Sequence, residues 1–318
     1  MWLYVLGSLG CVLSPTIGTL FAARVLQGFA ASSGPVIARA IVRDRYEGSE
    51  AARVMALLAT AMAVVPLVAP VLGSWLLYVF SWRAQFGALV LFGVAIIIGL
   101  RHVAESCPSI GQGGLAFAQV LGRFGECLSS RRFVGFLICG AACFAGMFAW
   151  ISSCSWIVIE LLGVSPQHFG YTFMAIACGY MSGAYLSARL VVRLGADRML
   201  GIGVAAALLG ALALALCALQ PVPTLAPVLV AVLGVFFGTG LCLANAQMGA
   251  ISEFPHAAGG ASAVFGFMQT CAGAASGFLV GQLYDASLRP TAFAMLAAVG
   301  AAAGGFVLLR TTRPERMP

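Results

Sequence analysis

The chain has 318 residues, of which 61% are hydrophobic and only 8% charged, and its mean hydropathy is +1.01. A soluble domain carries about 25% charged residues, so secreted, cytosolic and nucleic-acid-binding classes are excluded despite the net charge of +7. What remains is a polytopic membrane protein whose first partner is the lipid bilayer. All 17 basic residues are Arg, and the ten Cys form no C-x-x-C pair and no even-spaced framework. Neither a disulfide scaffold nor a metal site is expected from them, and no cofactor is implied.

Apolar runs of about 17–25 residues match the thickness of a bilayer when helical. Ten such runs are predicted, at 2–15, 20–41, 55–79, 85–100, 134–151, 170–191, 200–219, 225–251, 263–283 and 291–309. They are continuously apolar rather than alternating, which favours an all-α bundle over a barrel. The first run is short. No Lys or Arg occurs in residues 1–20, so no basic region of a signal peptide is read there.

Arg24 lies inside the second run, where a guanidinium costs roughly 2.5–3.5 kcal/mol at helix centre and must face a cavity or a partner. Gln27 and Gly28 follow at i+3 and i+4 on the same face. The plain alternative is a structural Arg that snorkels to the interface. The third run holds Pro66, Pro70 and Gly73 in VVPLVAPVLGS, and each proline frees a carbonyl and bends a helix.

The longest connection, about 101–133, opens with CPSIGQGG at 107–114. Phe117, Val120, Leu121, Phe124 and Leu128 then recur at helical spacing, the pattern of an amphipathic helix on the membrane surface. This connection divides the chain into an incomplete N-terminal bundle (1–100, four spans), a cytoplasmic linker (101–133) and a C-terminal six-helix bundle (134–318). In the second bundle, Gly179 and Gly183, and Gly273, Gly277 and Gly281, form small faces that suit close helix packing. Asn245, Gln247 and Gln269 are polar residues within late spans, as interhelical ties or as substrate contacts.

Fourteen Arg follow the second, fourth, sixth and tenth runs, against Arg83 and Arg289 on the opposite side. The positive-inside rule then puts both termini and the 101–133 connection in the cytoplasm. The ten acidic residues lie in loops or near span ends, Glu160 and Asp285 on the outer side. No H-E-x-x-H, G-x-S-x-G or clustered His/Asp constellation is present, so an enzyme is not expected.

L-x-x-x-R-x-x-Q-G-x-A-A at 20–31 resembles the fourth-span motif of major facilitator drug:proton antiporters. APVLGS at 69–74 is similar to their fifth-span motif, with Ala69 and Ser74 in place of glycines. ARAIVRDRY (38–46), SWRAQF (81–86), VSPQHFGY (164–171), LANAQ (243–247) and the segment 266–285 resemble the Bcr/CflA subfamily of bicyclomycin and chloramphenicol exporters. SARLVVRLGADRML (187–200) is similar to the degenerate copy of the family's cytoplasmic loop motif.

The resemblance implies a major facilitator fold in which the ten runs are family spans three to twelve. The family's first two spans, and the acidic residue of the first, have no counterpart in the runs found. It further implies multidrug efflux by proton antiport in the bacterial inner membrane, through alternating access around a cavity. Arg24 would serve proton coupling, and Pro70 and Gly73 helix bending. Phe148 and Tyr171 would join Asn245, Gln247 and Gln269 on the substrate cavity. The implied partners are a small amphipathic drug-like substrate and protons, and the implied state is a monomer. The alternative is a non-transporting remnant or structural membrane fragment.

Overall fold

A computed structural model of the chain describes residues 1–46, 48–101 and 117–311. The stretch 107–114, Arg313 and Arg316 lie outside the described residues. So do the side chains of Arg39, Arg43, Pro66, Phe117, Val120, Leu121 and Arg123. Every predicted apolar run falls on a helix, and no strand occurs among the described residues. The order is α1 (Trp2–Leu13), α2 (Ile17–Arg45), α3 (Gly48–Val79), α4 (Trp82–Leu100), α5 (Phe117–Ser129), α6 (Arg131–Trp156), α7 (Pro166–Leu194), α8 (Ala196–Ala218), α9 (Leu225–Ser252), α10 (Ala258–Gln282) and α11 (Arg289–Thr311).

Seven of these helices (α4 and α6 to α11) are long and apolar enough to cross a membrane on their own composition. The other three predicted spans are not of that length and composition among the described residues. Helix α1 has 12 residues and is about 18 Å long at 1.5 Å per residue, against a hydrocarbon core of about 30 Å. Helix α2 is 29 residues long but carries Arg24, Gln27 and the charged end 43–45. Within α3, Val68–Val79 forms a shorter apolar stretch among the described residues. Helix α3 also continues through both prolines without a break in its assignment.

Two compact units divide the chain, Met1–Gly114 and Leu115–Pro318. In the first, α1 packs against α2 and α4. Contact is close enough that a Cβ at Gly7 would lie 2.8 Å from the backbone nitrogen of Gln27, and one at Gly93 2.7 Å from Val5. The end of α1 is closed by a side chain from another helix, since Arg83 Nη2 donates to the Ser14 carbonyl at 3.1 Å. Freed carbonyls of this kind at a helix end need such a partner.

In the second unit α6 is the central helix, packed against α9, α10 and α11. Its buried face includes Phe133, Cys139, Cys143 and Trp150. Apolar burial gives little drive between helices in lipid, so association rests on close van der Waals packing. Helices α8 and α9 achieve it with small residues, a Cβ at Gly203 lying 2.8 Å from the Gly238 carbonyl. Gly179 and Gly183 likewise press against Leu233 and Phe237 of α9. Gly273 meets Phe144 and Phe148, and Gly277 meets Ser152, whereas Gly281 borders open space.

Helix α5 forms where the linker stripe predicts it, and it packs by Phe124 against Phe267 of α10, centroids 5.6 Å apart. All nine described cysteines are free and seven of them are buried, acting as small core residues.

Candidate functional site

Helix α2 starts at a capping box in which Thr16 Oγ1 accepts from the Thr19 amide at 3.3 Å. Thr19 Oγ1 accepts from the Thr16 amide at 3.2 Å and so satisfies the reciprocal donor. This fixed start sets the helix register that carries Arg24 and Gln27 to one face.

Arg24 Nη1 donates to Gln27 Oε1 at 2.6 Å. Gln27 Nε2 donates onward to Ser8 Oγ of α1 at 2.7 Å, and Ser8 Oγ donates to the Tyr4 carbonyl at 2.8 Å. Ser8 is fully buried and Gln27 is 3% exposed, so this chain of bonds satisfies groups that would otherwise be costly inside apolar helices. Gly7 allows it, because any side chain there would push Gln27 away from Ser8.

From the other side, the Arg24 guanidinium lies over the Phe86 ring of α4 at 5.6 Å, within cation–π range. Among the described residues Arg24 has no carboxylate partner. An amide and an aromatic face hold it, and the guanidinium itself is exposed to a cavity of about 490 Å³. Tyr4, Phe21, Val25, Gly28 and Leu89 line the rest of that cavity. Gly28 has open space where a Cβ would project. The arrangement presents one permanent positive charge, with remaining N–H donors, from an apolar and aromatic wall.

The other predicted site residues are not among those that line this cavity. Within the antiporter-like motif of α3, Ser74 Oγ donates to the Pro70 carbonyl at 2.9 Å. Gln85 Nε2 of α4 donates to the Gly73 carbonyl at 3.2 Å. The motif is thus tied to α4 through its backbone.

In the second unit Asn245 is 6% exposed. Its Nδ2 donates to Ser187 Oγ of α7 and to the Leu241 carbonyl, both at 2.7 Å. That is an interhelical tie between α7 and α9. Gln247 Nε2 reaches Ser262 Oγ of α10 at 3.5 Å, and Gln269 is half-buried on α10. Phe148 stacks on Phe144 with centroids 4.6 Å apart. Tyr171 is exposed near the start of α7, its ring 6.3 Å from that of His168. An apolar groove of about 680 Å³ among α6, α10 and α11 is lined by other residues, Ala145, Ser276, Leu279 and Phe293 among them.

Sequence reasoning missed Ser8 and Phe86, the two residues that hold the Arg24–Gln27 pair from α1 and α4. A signal for Ser8 was present, as the lone serine in the apolar segment WLYVLGSLGCVL. Phe86 carried none, since an aromatic residue in a span is ordinary.

Among the described residues, a helical arrangement without strands, seven membrane-length apolar helices and a hydrogen-bonded Arg inside another define a multi-pass membrane protein. Residues 1–278 match the Major Facilitator Superfamily, and the chain belongs to that family. It is 32% identical over 285 residues to the MFS-type transporter YdgK of Bacillus subtilis (strain 168), covering 88% of this chain and 70% of that protein. A bicyclomycin resistance protein homolog of Haemophilus influenzae is 27% identical over 288 residues, covering 89% and 71%. A chloramphenicol resistance protein of Pseudomonas aeruginosa is 27% identical over 263 residues, covering 82% and 62%. The chain therefore spans between 62% and 71% of the length of these relatives.

Among solved structures, a bacterial homolog of the human lysosomal transporter Spinster matches with a TM-score of 0.68 at 14% identity, covering 98% of this chain and 79% of that one. The xylose transporter XylE of Escherichia coli matches at 0.65 and 12% identity, covering 99% and 79%. The major facilitator fold is thereby established. The resemblance to the Bcr/CflA drug-resistance group, read from 38–46, 81–86, 164–171, 243–247 and 266–285, is borne out by the named relatives.

Proposed function

We propose that the chain exports small amphipathic drug-like molecules from the cytoplasm across the bacterial inner membrane in exchange for protons. In this reading it works as a monomer, with both termini and the 101–133 connection in the cytoplasm. The observation that carries the proposal is the Arg24–Gln27–Ser8 hydrogen-bond chain at the edge of an apolar cavity, in a protein whose relatives bear drug-resistance names. A guanidinium does not titrate in proteins, so Arg24 acts as a fixed charge. It favours the ionised form of any carboxylate brought near it, and so biases when a proton is taken up or released. The aromatic and aliphatic wall supplies non-specific affinity, and the guanidinium fork orients polar groups of the substrate. The carbonyl ties at Pro70 and Gly73 support a role for α3 in bending during transport.

The test is expression in a bacterial strain that lacks its own exporters. Raised tolerance to chloramphenicol or bicyclomycin, lost on adding an uncoupler and lost in Arg24→Ala at equal expression, is the expected result. Unchanged tolerance would instead favour the non-transporting reading.

A further inference from the structure

We propose that the second unit carries a binding site for the headgroup of an anionic phospholipid, formed where α6 and α8 begin and α11 ends. A cavity of about 560 Å³ opens there, and Arg132, Arg198 and Arg310 all line it. One carboxylate, Asp197, shares the rim, so the lining residues leave an excess of positive charge. Arg132 is bound on one side only. Its Nη1 pairs with Glu253 at 3.1 Å, while its Nε is buried without a hydrogen-bond partner among the described residues. A buried donor of this kind is a lasting cost unless something accepts from it.

Arg310 is held over the Phe306 ring at 5.0 Å, which fixes the plane of its fork beside the cavity. Arg198 stands on the first turn of α8 and is exposed, with no carboxylate partner among the described residues. Gly195 precedes α8 at φ 79° and offers no side-chain cap to that helix start, so its first amides also add positive character at the rim.

Below this rim the lining changes. Phe136, Leu200, Phe306 and Leu309 form an apolar floor, and three of them are almost fully buried. A polar, cationic mouth over an apolar floor, at one end of a helical unit, matches the two parts of a phospholipid. The phosphodiester takes bidentate N–H bonds from the Arg forks, and an acyl chain covers the floor. Basic pockets between membrane helices bind anionic headgroups by this combination. A free phosphate ion offers the same oxygens but nothing to the floor.

The test is native mass spectrometry of the delipidated, detergent-purified protein titrated with phosphatidylglycerol, with phosphatidylcholine and with inorganic phosphate. Phosphatidylglycerol should bind about tenfold more tightly than phosphatidylcholine, and Arg198→Gln with Arg310→Gln should abolish that preference. Arg193→Gln, exposed on α7 outside the rim, should keep it. Arg198→Gln alone, at an exposed position, carries the test if the double variant fails to fold, with a partial loss expected. Equal binding of the two lipids, or a preference that survives in both Arg198 variants, would overturn the proposal. Full displacement of phosphatidylglycerol by millimolar inorganic phosphate would overturn the lipid assignment in favour of a free-anion site.

Discussion

Arg24 and Gln27 stand one turn apart on α2, and the guanidinium Nη1 donates to the amide Oε1 at 2.6 Å. The amide's other end is already committed to Ser8, so Gln27 cannot turn away from Arg24 without breaking both bonds. This makes Gln27 the residue that aims Arg24.

Gln27→Leu should therefore free Arg24 and leave Ser8 without its donor. Interhelical hydrogen bonds in membranes contribute about 0.6–2 kcal/mol, so a loss of that order in unfolding stability is expected in detergent. Transport should fall much further than stability does. Ser8→Ala should show the same stability loss with a smaller transport defect, because the Arg24–Gln27 bond remains. Thermal unfolding and drug efflux measured on both variants check the difference.

Gly7 and Gly28 should respond in opposite ways to enlargement. A Cβ at Gly7 collides with the Gln27 backbone, whereas one at Gly28 meets nothing within 4 Å. Gly7→Ala is expected to destabilise by about 1–3 kcal/mol through overpacking. Gly28→Leu should keep wild-type stability and lose efflux of the bulkiest substrates first, because it fills the cavity beside Arg24. A substrate-size series on purified, equally expressed variants separates the two effects.

Asn245→Ala should be a stability variant rather than a specificity variant. Both donors of its amide are used within the protein, on Ser187 and Leu241. Melting temperature is expected to drop by a few degrees for a loss of about 1 kcal/mol, while the ranking of exported drugs stays unchanged. A changed ranking with an unchanged melting temperature would return Asn245 to the substrate path.

The helices were legible in the sequence because each is an apolar run bounded by Arg, Gly or Pro. Helix α1 is the exception, because its 12 residues are short of a bilayer's thickness. Arg24 and Gln27 were legible because a charge and an amide one turn apart in a span are costly unless they serve each other. Their outside support was not, since Ser8 is 19 residues away and Phe86 is on α4, and pairing across helices follows packing rather than spacing. The same reason explains Asn245. Composition left it open as a tie or a contact, and only the position of Ser187 on the neighbouring helix shows what it binds. Arg132, Arg198 and Arg310 follow the fourth, sixth and tenth runs respectively, so nothing in linear order brings them to one rim.

Topology is open to a direct chemical test. With Cys107 and the exposed Cys178 and Cys271 replaced by Ala, Val222→Cys in the α8–α9 connection and Val192→Cys near the end of α7 offer exposed positions at opposite ends. An impermeant maleimide should label Val222→Cys in intact cells, and Val192→Cys only after permeabilisation. The reverse pattern would invert the orientation read from the Arg asymmetry.

The central claim is that Arg24 couples drug movement to protons, and drug-induced proton release from everted inner-membrane vesicles tests it most directly. Vesicles from cells expressing the chain are energised until a pH-sensitive dye is quenched, and then chloramphenicol is added. Partial recovery of fluorescence is predicted for the parent, none for Arg24→Ala, and less than the parent for Arg24→Lys, because an ammonium lacks the planar fork. Recovery of equal size in Arg24→Ala and the parent, at matched expression, would contradict the account.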